Sequence, residues 1–237
     1  MNTLLYSHLG NMDYSTALGL QERLLERKQR EEFPDILLVV EHPHVFTIGR
    51  SGRDAHVIAP GDVPVYRTSR GGDVTYHGPG QLVAYPIIDL RSKLRKAVHR
   101  HLNSIELTIT QTVASFGLSA ERKPPWTGIW IGNKKLASIG VAVKRGVTYH
   151  GLALNVNTDL DYFTRIVPCG LGWAEMTSMA RELGTEIPLA RVREEFLRGF
   201  AQRFGYAELK EVCLEGIQTG SKSDFPEAPT IFISSTS

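Results

Sequence analysis

Long apolar runs are scarce in this sequence. The longest, Ile36 to Val40, spans five residues, against the roughly 20 needed to cross a bilayer, so no membrane-spanning helix is expected. Cysteine is nearly absent: Cys169 and Cys213 are the two present. That is too few for a disulfide scaffold and suits a reducing compartment, so a cytoplasmic location is expected. Met1 to His8 carries neither a basic start nor an apolar stretch, so no secretory leader is expected. Charge of one sign is also lacking. The 27 Lys and Arg against 25 Asp and Glu leave +2 over 237 residues, without the basic excess of a nucleic-acid binder. Neither nucleic acid nor membrane is expected as a partner. What is present is globular: 42% hydrophobic and 22% charged residues at a length that buries a full core unaided.

Periodicity sketches the elements. Asp13 precedes a helix to about Phe33, with Tyr14, Leu18, Gln21 and Leu25 on one face and Glu22, Arg23, Glu26 and Arg27 on the other. Ile36 to Glu41 reads as a buried strand, Arg50 to Pro64 as a loop, and Val63 to Arg67 as a short strand. Gln81 to Leu90 reads as a strand whose Pro86 suggests an edge or a bulge. Leu94, Val98, Leu102, Ile105, Ile109, Val113 and Phe116 recur at helical spacing over Lys93 to Phe116, with Gly117 as the stop. Thr127 to Asn157 reads as a three-stranded meander turning at Gly132-Asn133 and at Lys144-Arg145-Gly146, and Leu189 to Phe204 as a helix ended by Gly205. With no repeat or linker before it, the chain reads as one α/β domain over residues 1–220, a mixed, largely antiparallel sheet flanked by helices. Residues 221–237, rich in Ser, Thr and Pro, read as a loose tail.

Four stretches stand out chemically. Arg70 to Gln81 holds four glycines in twelve residues, Gly71, Gly72, Gly78 and Gly80, beside Arg70, Tyr76 and His77. A plain turn gains nothing from those side chains, whereas glycines let backbone N–H groups approach a ligand. The Gly-Lys-Ser/Thr ending of a nucleotide P-loop is missing. Lys134 to Gly140 places small residues, Ala137, Ser138 and Gly140, inside an apolar strand, as close approach of a ligand or another chain would require. Alternation puts Lys135, Ala137 and Ile139 on one face and Lys134, Leu136 and Ser138 on the other, and spacing alone reads the Lys134-Lys135 pair as a solvated hairpin end. Tyr149 to Asn157 is a strand opened by His150-Gly151, where a lone histidine reads as structural. Finally, Cys169 lies in a loop bracketed by Pro168 and Gly170, a setting for an accessible thiol, while Cys213 sits among Glu211 and Glu215. A nucleophilic cysteine needs a cation or base, and Lys135, His77 and His150 are the candidates.

Together and in this order, Arg70-Gly71-Gly72 through Tyr76-His77-Gly78-Pro79-Gly80-Gln81, Lys135 to Gly140, His150 to Asn155 and Pro168-Cys169-Gly170 resemble the lipoyl(octanoyl) transferases, the octanoyl-acyl carrier protein:protein N-octanoyltransferases, over about residues 1 to 205. The resemblance implies a fold like the catalytic domain of biotin and lipoate protein ligases. It implies a Cys169/Lys135 dyad in place of a solvated Lys135, and it sets His150 beside the substrate. Acyl-binding positions carry over to Arg70, Gly71, Gly72, Asp73, Val74, Thr75, Tyr76 and His77, to Ser138, Ile139 and Gly140, and to Gly151, Leu152 and Ala153. The implied donor is octanoyl-acyl carrier protein. The implied acceptors are lipoyl domains of 2-oxoacid dehydrogenases and the glycine cleavage H protein, with no cofactor and no metal. On that reading Tyr85 helps line the acyl slot, and backbone N–H groups of the Ser138–Gly140 segment hold the oxyanion.

Three other activities fit parts of the pattern: an ATP-dependent lipoate or biotin ligase of the same fold, a thioester hydrolase using Cys169, and a non-catalytic carrier-binding module. In the last, Arg91, Lys93, Arg95, Lys96 and Arg100 would dock an acidic carrier protein, unless they are simply the solvated face of their helix.

Overall fold

Strands buried on both faces lose the alternation of polar and apolar residues and read as continuous apolar runs; Ile36 to Val40 is such a run, and it lies at the centre of the molecule. A computed structural model describes residues 2–30, 33–91, 97–214 and 231–233. In chain order the elements are β1 (Thr3–Asn11), α1 (Tyr14–Arg30), β2 (Asp35–Glu41), β3 (Val45–Ile48), β4 (Val65–Arg67), β5 (Val74–His77), β6 (Gln81–Ile87), α2 (Ala97–Ala114), β7 (Glu121–Lys123), β8 (Trp126–Ile131), β9 (Lys134–Lys144), β10 (Val147–Asn155), β11 (Glu175–Met176), α3 (Met179–Leu183), α4 (Leu189–Phe204), β12 (Glu208–Leu214) and β13 (Ile231–Ile233).

The described strands of the main sheet run in the order β13-β12-β1-β2-β6-β10-β9-β8-β7, with β11 added to β9. Its β12–β1–β2 portion is parallel, and from β2 through β7 every neighbour is antiparallel. Side chains leave β2 to opposite faces. Leu37 and Val39 join Ile105, Ile109, Val113, Val192, Phe196 and Phe200 of α2 and α4. Ile36, Leu38 and Val40 join Ala17, Leu20, Leu24 and Leu25 of α1 on the other side. A second sheet, β4-β3-β5, has its own core of Phe46, Ile48, Val74 and Tyr76 against Phe163, Ile166 and Met176.

Local chemistry explains where this departs from the pattern read along the chain. Pro86 occupies neither an edge nor a bulge. It pairs with Leu37 inside the central strand β6. Its missing N–H falls where the β6–β10 ladder is interrupted: pairing stops at Ala84–Leu152 and resumes with the Asp89–Val147 bridge in unchanged register. Thr148 Oγ1 spans the gap, donating to the Pro86 carbonyl at 2.7 Å and accepting the Ile88 N–H at 2.9 Å. β1 and β3 lie outside the elements that spacing marks, and Val74–His77, inside the glycine-rich stretch, is a strand. On α1 the buried stripe is Tyr14, Ala17, Leu20, Gln21, Leu24, Leu25 and Lys28, so Leu18 lies beside it. Lys28 is buried because Asp35 pairs with it at 2.8 Å.

The meander and α4 stand as the spacing requires, with Gly205 left-handed after α4 and Gly117 closing the turn after α2. Of the helix expected over Lys93 to Phe116, Lys93, Leu94, Arg95 and Lys96 lie outside the described residues. Of the expected α2 face, Val98 is instead exposed. Within the segment expected to be a tail, Ile231–Ile233 pair with Val212 to Leu214; its other residues lie outside those described.

Among the described residues no helix is long and apolar enough to cross a membrane. Removing a fully buried aromatic costs about 3–5 kcal/mol through lost transfer energy and the cavity left behind. Phe200→Ala should therefore lower Tm by about 10 °C in a chain of this size. Val98→Ala, on the same helical layer but exposed, should stay within about 0.5 kcal/mol of the parent. Thermal melts of the two variants check the assignment of faces.

Candidate active site

The lysine that reaches Cys169 does so because its strand breaks alternation. Between β8 and β9, Ile129 pairs with Ala137 but Trp130 pairs with Lys135, which puts one extra residue, Leu136, on β9. Such a bulge re-aims the side chains beside it. The extra residue shifts Lys135 relative to Ala137, and Lys134 and Lys135, on opposite faces by alternation, meet different surroundings. Lys134 pairs with Glu182 at 3.0 Å and stays partly exposed, whereas Lys135 is buried with 3% of its surface exposed. A buried ammonium needs a partner. Lys135 Nζ donates to Cys169 Sγ at 3.0 Å and lies 5.2 Å from the centre of the Trp130 ring, whose face favours a cation.

Cys169 comes from the opposite side, in a 3-10 turn over Pro168–Gly170, and is half-buried. Its backbone is left-handed, with φ 56° and ψ 18°, a conformation a non-glycine residue adopts only when its surroundings hold it. Cys213 lies exposed on β12, four strands from β10 and five from β9 across the sheet.

A pocket opens beside the cysteine where β5, residues 70–73, β9 and β10 converge. It is lined by Arg70, Gly72, Asp73, Thr75, His77, Ser138, Ile139, Gly140, Gly151, Leu152, Ala153 and Cys169, together with Tyr14, Tyr85 and His150. Three of the expected binding residues do not line it. Val74 and Tyr76 point into the core of the second sheet, because alternation along β5 leaves only Thr75 and His77 for the pocket. Gly71 contributes backbone, its N–H donating to the Val141 carbonyl at 3.2 Å. That contact needs Gly140: a Cβ there would stand 2.7 Å from the Gly71 carbonyl oxygen.

The polar lining is held by neighbours. Arg70 is buried and donates through Nη2 and Nε to the Thr47 carbonyl at 2.6 Å and to Thr47 Oγ1 at 3.1 Å. Burial pushes its guanidinium below the usual value, and it remains a cation at neutral pH. His77 Nδ1 meets Gln81 Oε1 at 2.8 Å, so that nitrogen carries the proton. His42 sits between the Met12 carbonyl, 2.6 Å, and the Tyr85 hydroxyl, 2.7 Å. His150, left-handed at φ 55°, is held by Gln21, whose Oε1 accepts its N–H at 2.8 Å. Its Nε2 meets Ser69 Oγ at 3.1 Å, and its Nδ1 has no partner.

Burial lowers these imidazoles to about 3 for His77, about 4 for His42 and about 3 for His150. They are neutral in the folded protein at physiological pH. Among the candidate bases, only Lys135 contacts the cysteine. Tyr14, His42 and His56 escaped the sequence reading. Tyr14 matched the core stripe of α1, and the two histidines carried no signal of spacing. No group of three or more His, Cys, Asp or Glu side chains able to hold a metal occurs among the described residues.

Buried neutral histidines give a pH signature. His101, lowered to about 4 by burial, adds to the three above. Their folded-state values lie below those of the unfolded chain, near 6.5. Unfolding therefore takes up protons below that pH. Stability is full above about pH 6.5 and is lost as the pH falls toward about 4. Thermal melts should show Tm falling between about pH 6.5 and 5, above the range where carboxylates titrate; a flat profile there would contradict neutral burial.

The family of the lipoyl protein ligase A/B catalytic domain matches residues 13–201. The chain is 46% identical over 212 residues to an octanoyltransferase of Solibacter usitatus, a match that covers 87% of this chain and 95% of that one. It is 50% identical over 174 residues to an octanoyltransferase of Cellvibrio japonicus, covering 73% and 80%. Among solved structures, a lipoate-protein ligase A bound with ATP superposes with a TM-score of 0.69 at 18% identity, covering 86% of each chain. A biotin protein ligase from Aquifex aeolicus gives 0.51 at 13%, covering 86% of this chain and 70% of the other. These two establish the shared fold. The chain belongs to the lipoyl protein ligase A/B catalytic domain family, with octanoyltransferases as its relatives at 46% and 50% identity.

Proposed function

We propose that this chain transfers an octanoyl group from octanoyl-acyl carrier protein to the lysine of a lipoyl domain by way of a thioester on Cys169. The observation that carries the reading is the 3.0 Å contact between Lys135 Nζ and Cys169 Sγ at the edge of the pocket. Two octanoyltransferase relatives support the acyl group and the reaction type. A Thermoplasma acidophilum relative in fold, described with its E2 lipoyl domain, supports the acceptor. Glycine cleavage H protein is an acceptor of the same kind, and an acyl carrier donor implies action in the cytoplasm.

The chemistry runs in two displacements. The Cys169 sulfur, its negative charge held by the Lys135 ammonium, attacks the octanoyl carbonyl. The new C–S bond forms as the carrier's C–S bond breaks, and the departing thiolate takes the Lys135 proton. The acceptor amine then attacks the Cys169 thioester. An amide bond forms, the C–S bond breaks, and the amine's surplus proton returns to Lys135. An amide is more stable than a thioester, so no ATP is required.

Each displacement passes through an oxyanion. The Val141 carbonyl faces Gly71 and not β10, and strand alternation turns the Ile139 peptide group the same way. Of the 138–140 amides, Ile139 N–H is the donor on the pocket side, and one such donor is worth about 3 kcal/mol to the transition state. Ile139, Leu152, Ala153 and Tyr85 offer apolar surface to the chain, at about 0.8 kcal/mol per methylene buried.

With octanoyl carrier protein and a lipoyl domain as substrates and no ATP, Cys169→Ser should lose amide formation to background. Lys135→Met should lower kcat by about 10²–10⁴. Full activity of Cys169→Ser, dependent on ATP, would assign the chain to the ligases.

A further inference from the structure

Two side chains outside the Lys135–Cys169 contact determine where that contact forms. Cys169 sits in a left-handed turn that its own sequence does not favour, so something must hold it. The segment before it, Arg165 to Val167, is stitched to residues 56–59. Val167 N–H donates to the His56 carbonyl at 2.7 Å, Ile58 and Ala59 N–H donate to the Arg165 carbonyl at 2.8 and 3.0 Å, and Val57 bridges Ile166.

The side chains extend this brace under the turn itself. His56 Nδ1 lies 2.6 Å from Asp73 Oδ2, with 22% and 12% of the two side chains exposed. The other carboxylate oxygen accepts Val74 N–H at 2.8 Å and Arg53 N–H at 3.3 Å. The pair abuts Gly170. A Cβ on Gly170 would stand 2.7 Å from Asp73 Oδ2 and 3.4 Å from His56 Cε1, and the residue is left-handed at φ 67°. The hydrogen bonds that Asp73 makes here go to backbone N–H groups and to His56.

We propose that His56 and Asp73 are positioning residues for octanoyl transfer: their hydrogen-bonded pair is the bed on which the Pro168–Gly170 turn rests, and it sets Cys169 Sγ against Lys135 Nζ and the pocket. This rests on Cys169 being the residue that carries the acyl group. It gives Asp73, which also lines the pocket, a role in supporting the nucleophile's turn. A support of this kind acts on the rate of the chemical step and leaves substrate binding alone.

The test is steady-state kinetics of octanoyl transfer from octanoyl carrier protein, with a thermal melt of each variant. His56→Ala should lower kcat about a hundredfold, with KM for the carrier within about twofold of the parent. His56→Asn, whose side-chain amide N–H stands near the position of Nδ1, should recover most of that loss. Gly170→Ala, which disturbs the same contact from the turn side, should lower kcat in the same way even if His56→Ala proves too unstable to assay. Combining it with His56→Ala should cost less than the sum of the two.

An unchanged kcat in folded His56→Ala or Gly170→Ala overturns the proposal. So does a raised KM at constant kcat, which would make Asp73 and His56 substrate contacts, and so do fully additive losses. Wild-type protein that retains octanoyl on Cys169 in any of these outcomes shows that the pair's role alone has failed. Wild type with no such adduct removes the nucleophile and the proposal together.

Discussion

The Lys135 amine is buried in a protein interior, and burial of a charge without a partner is among the costliest arrangements available to a folded chain. Its hydrogen bond goes to a cysteine sulfur 3.0 Å away, and the face of Trp130 lies beside it. Much of the surrounding architecture serves that contact. The extra residue in β9 shifts Lys135 relative to Ala137, the left-handed turn at Cys169 brings up the sulfur, and the bed of His56 and Asp73 holds the turn. The bulge and the turn are local departures from regular structure. Departures of this kind are kept where surrounding contacts over-determine them, and they gather at functional sites.

Behind the site lies a scaffold that obeys simple rules. The main sheet is buried on both faces, by α1 on one side and by α2 and α4 on the other, so its central strands are rigid. The second sheet contributes β5, whose alternation divides Val74 and Tyr76 from Thr75 and His77. One strand thus anchors a core and lines a pocket. The neutral, hydrogen-bonded histidines around that pocket leave Arg70 as the fixed positive charge of its lining and, among the described residues, Lys135 as the amine at the sulfur.

How well the sequence foretold this depended on whether the signal was periodic. The meander announced itself through Gly132-Asn133 and Gly146, and α4 through Leu189, Val192, Phe196 and Phe200 ending at Gly205. β1 and β3 went unread because β1 opens on adjacent Leu4 and Leu5 without alternation and β3 is only four residues long. Pro86 misled because a proline normally avoids a central strand; Thr148 supplies the side-chain bonds that let it stay. Alternation along β9 failed at Lys135 because a bulge is a matter of pairing, invisible in one strand alone. The cysteine loop was readable from Pro168 and Gly170. His56 was not, because its relation to Asp73 exists only once the loop of residues 50–64 has folded against Cys169's turn.

The central claim is that Cys169 carries the octanoyl group between donor and acceptor. Intact mass measurement, followed by peptide mapping, of the protein incubated with octanoyl-acyl carrier protein in the absence of ATP tests it most directly. The account predicts an octanoyl adduct confined to the peptide containing Cys169, discharged on addition of a lipoyl domain with matching gain of mass on that domain. An unmodified Cys169, with octanoylation of the lipoyl domain proceeding only when ATP is supplied, would contradict it.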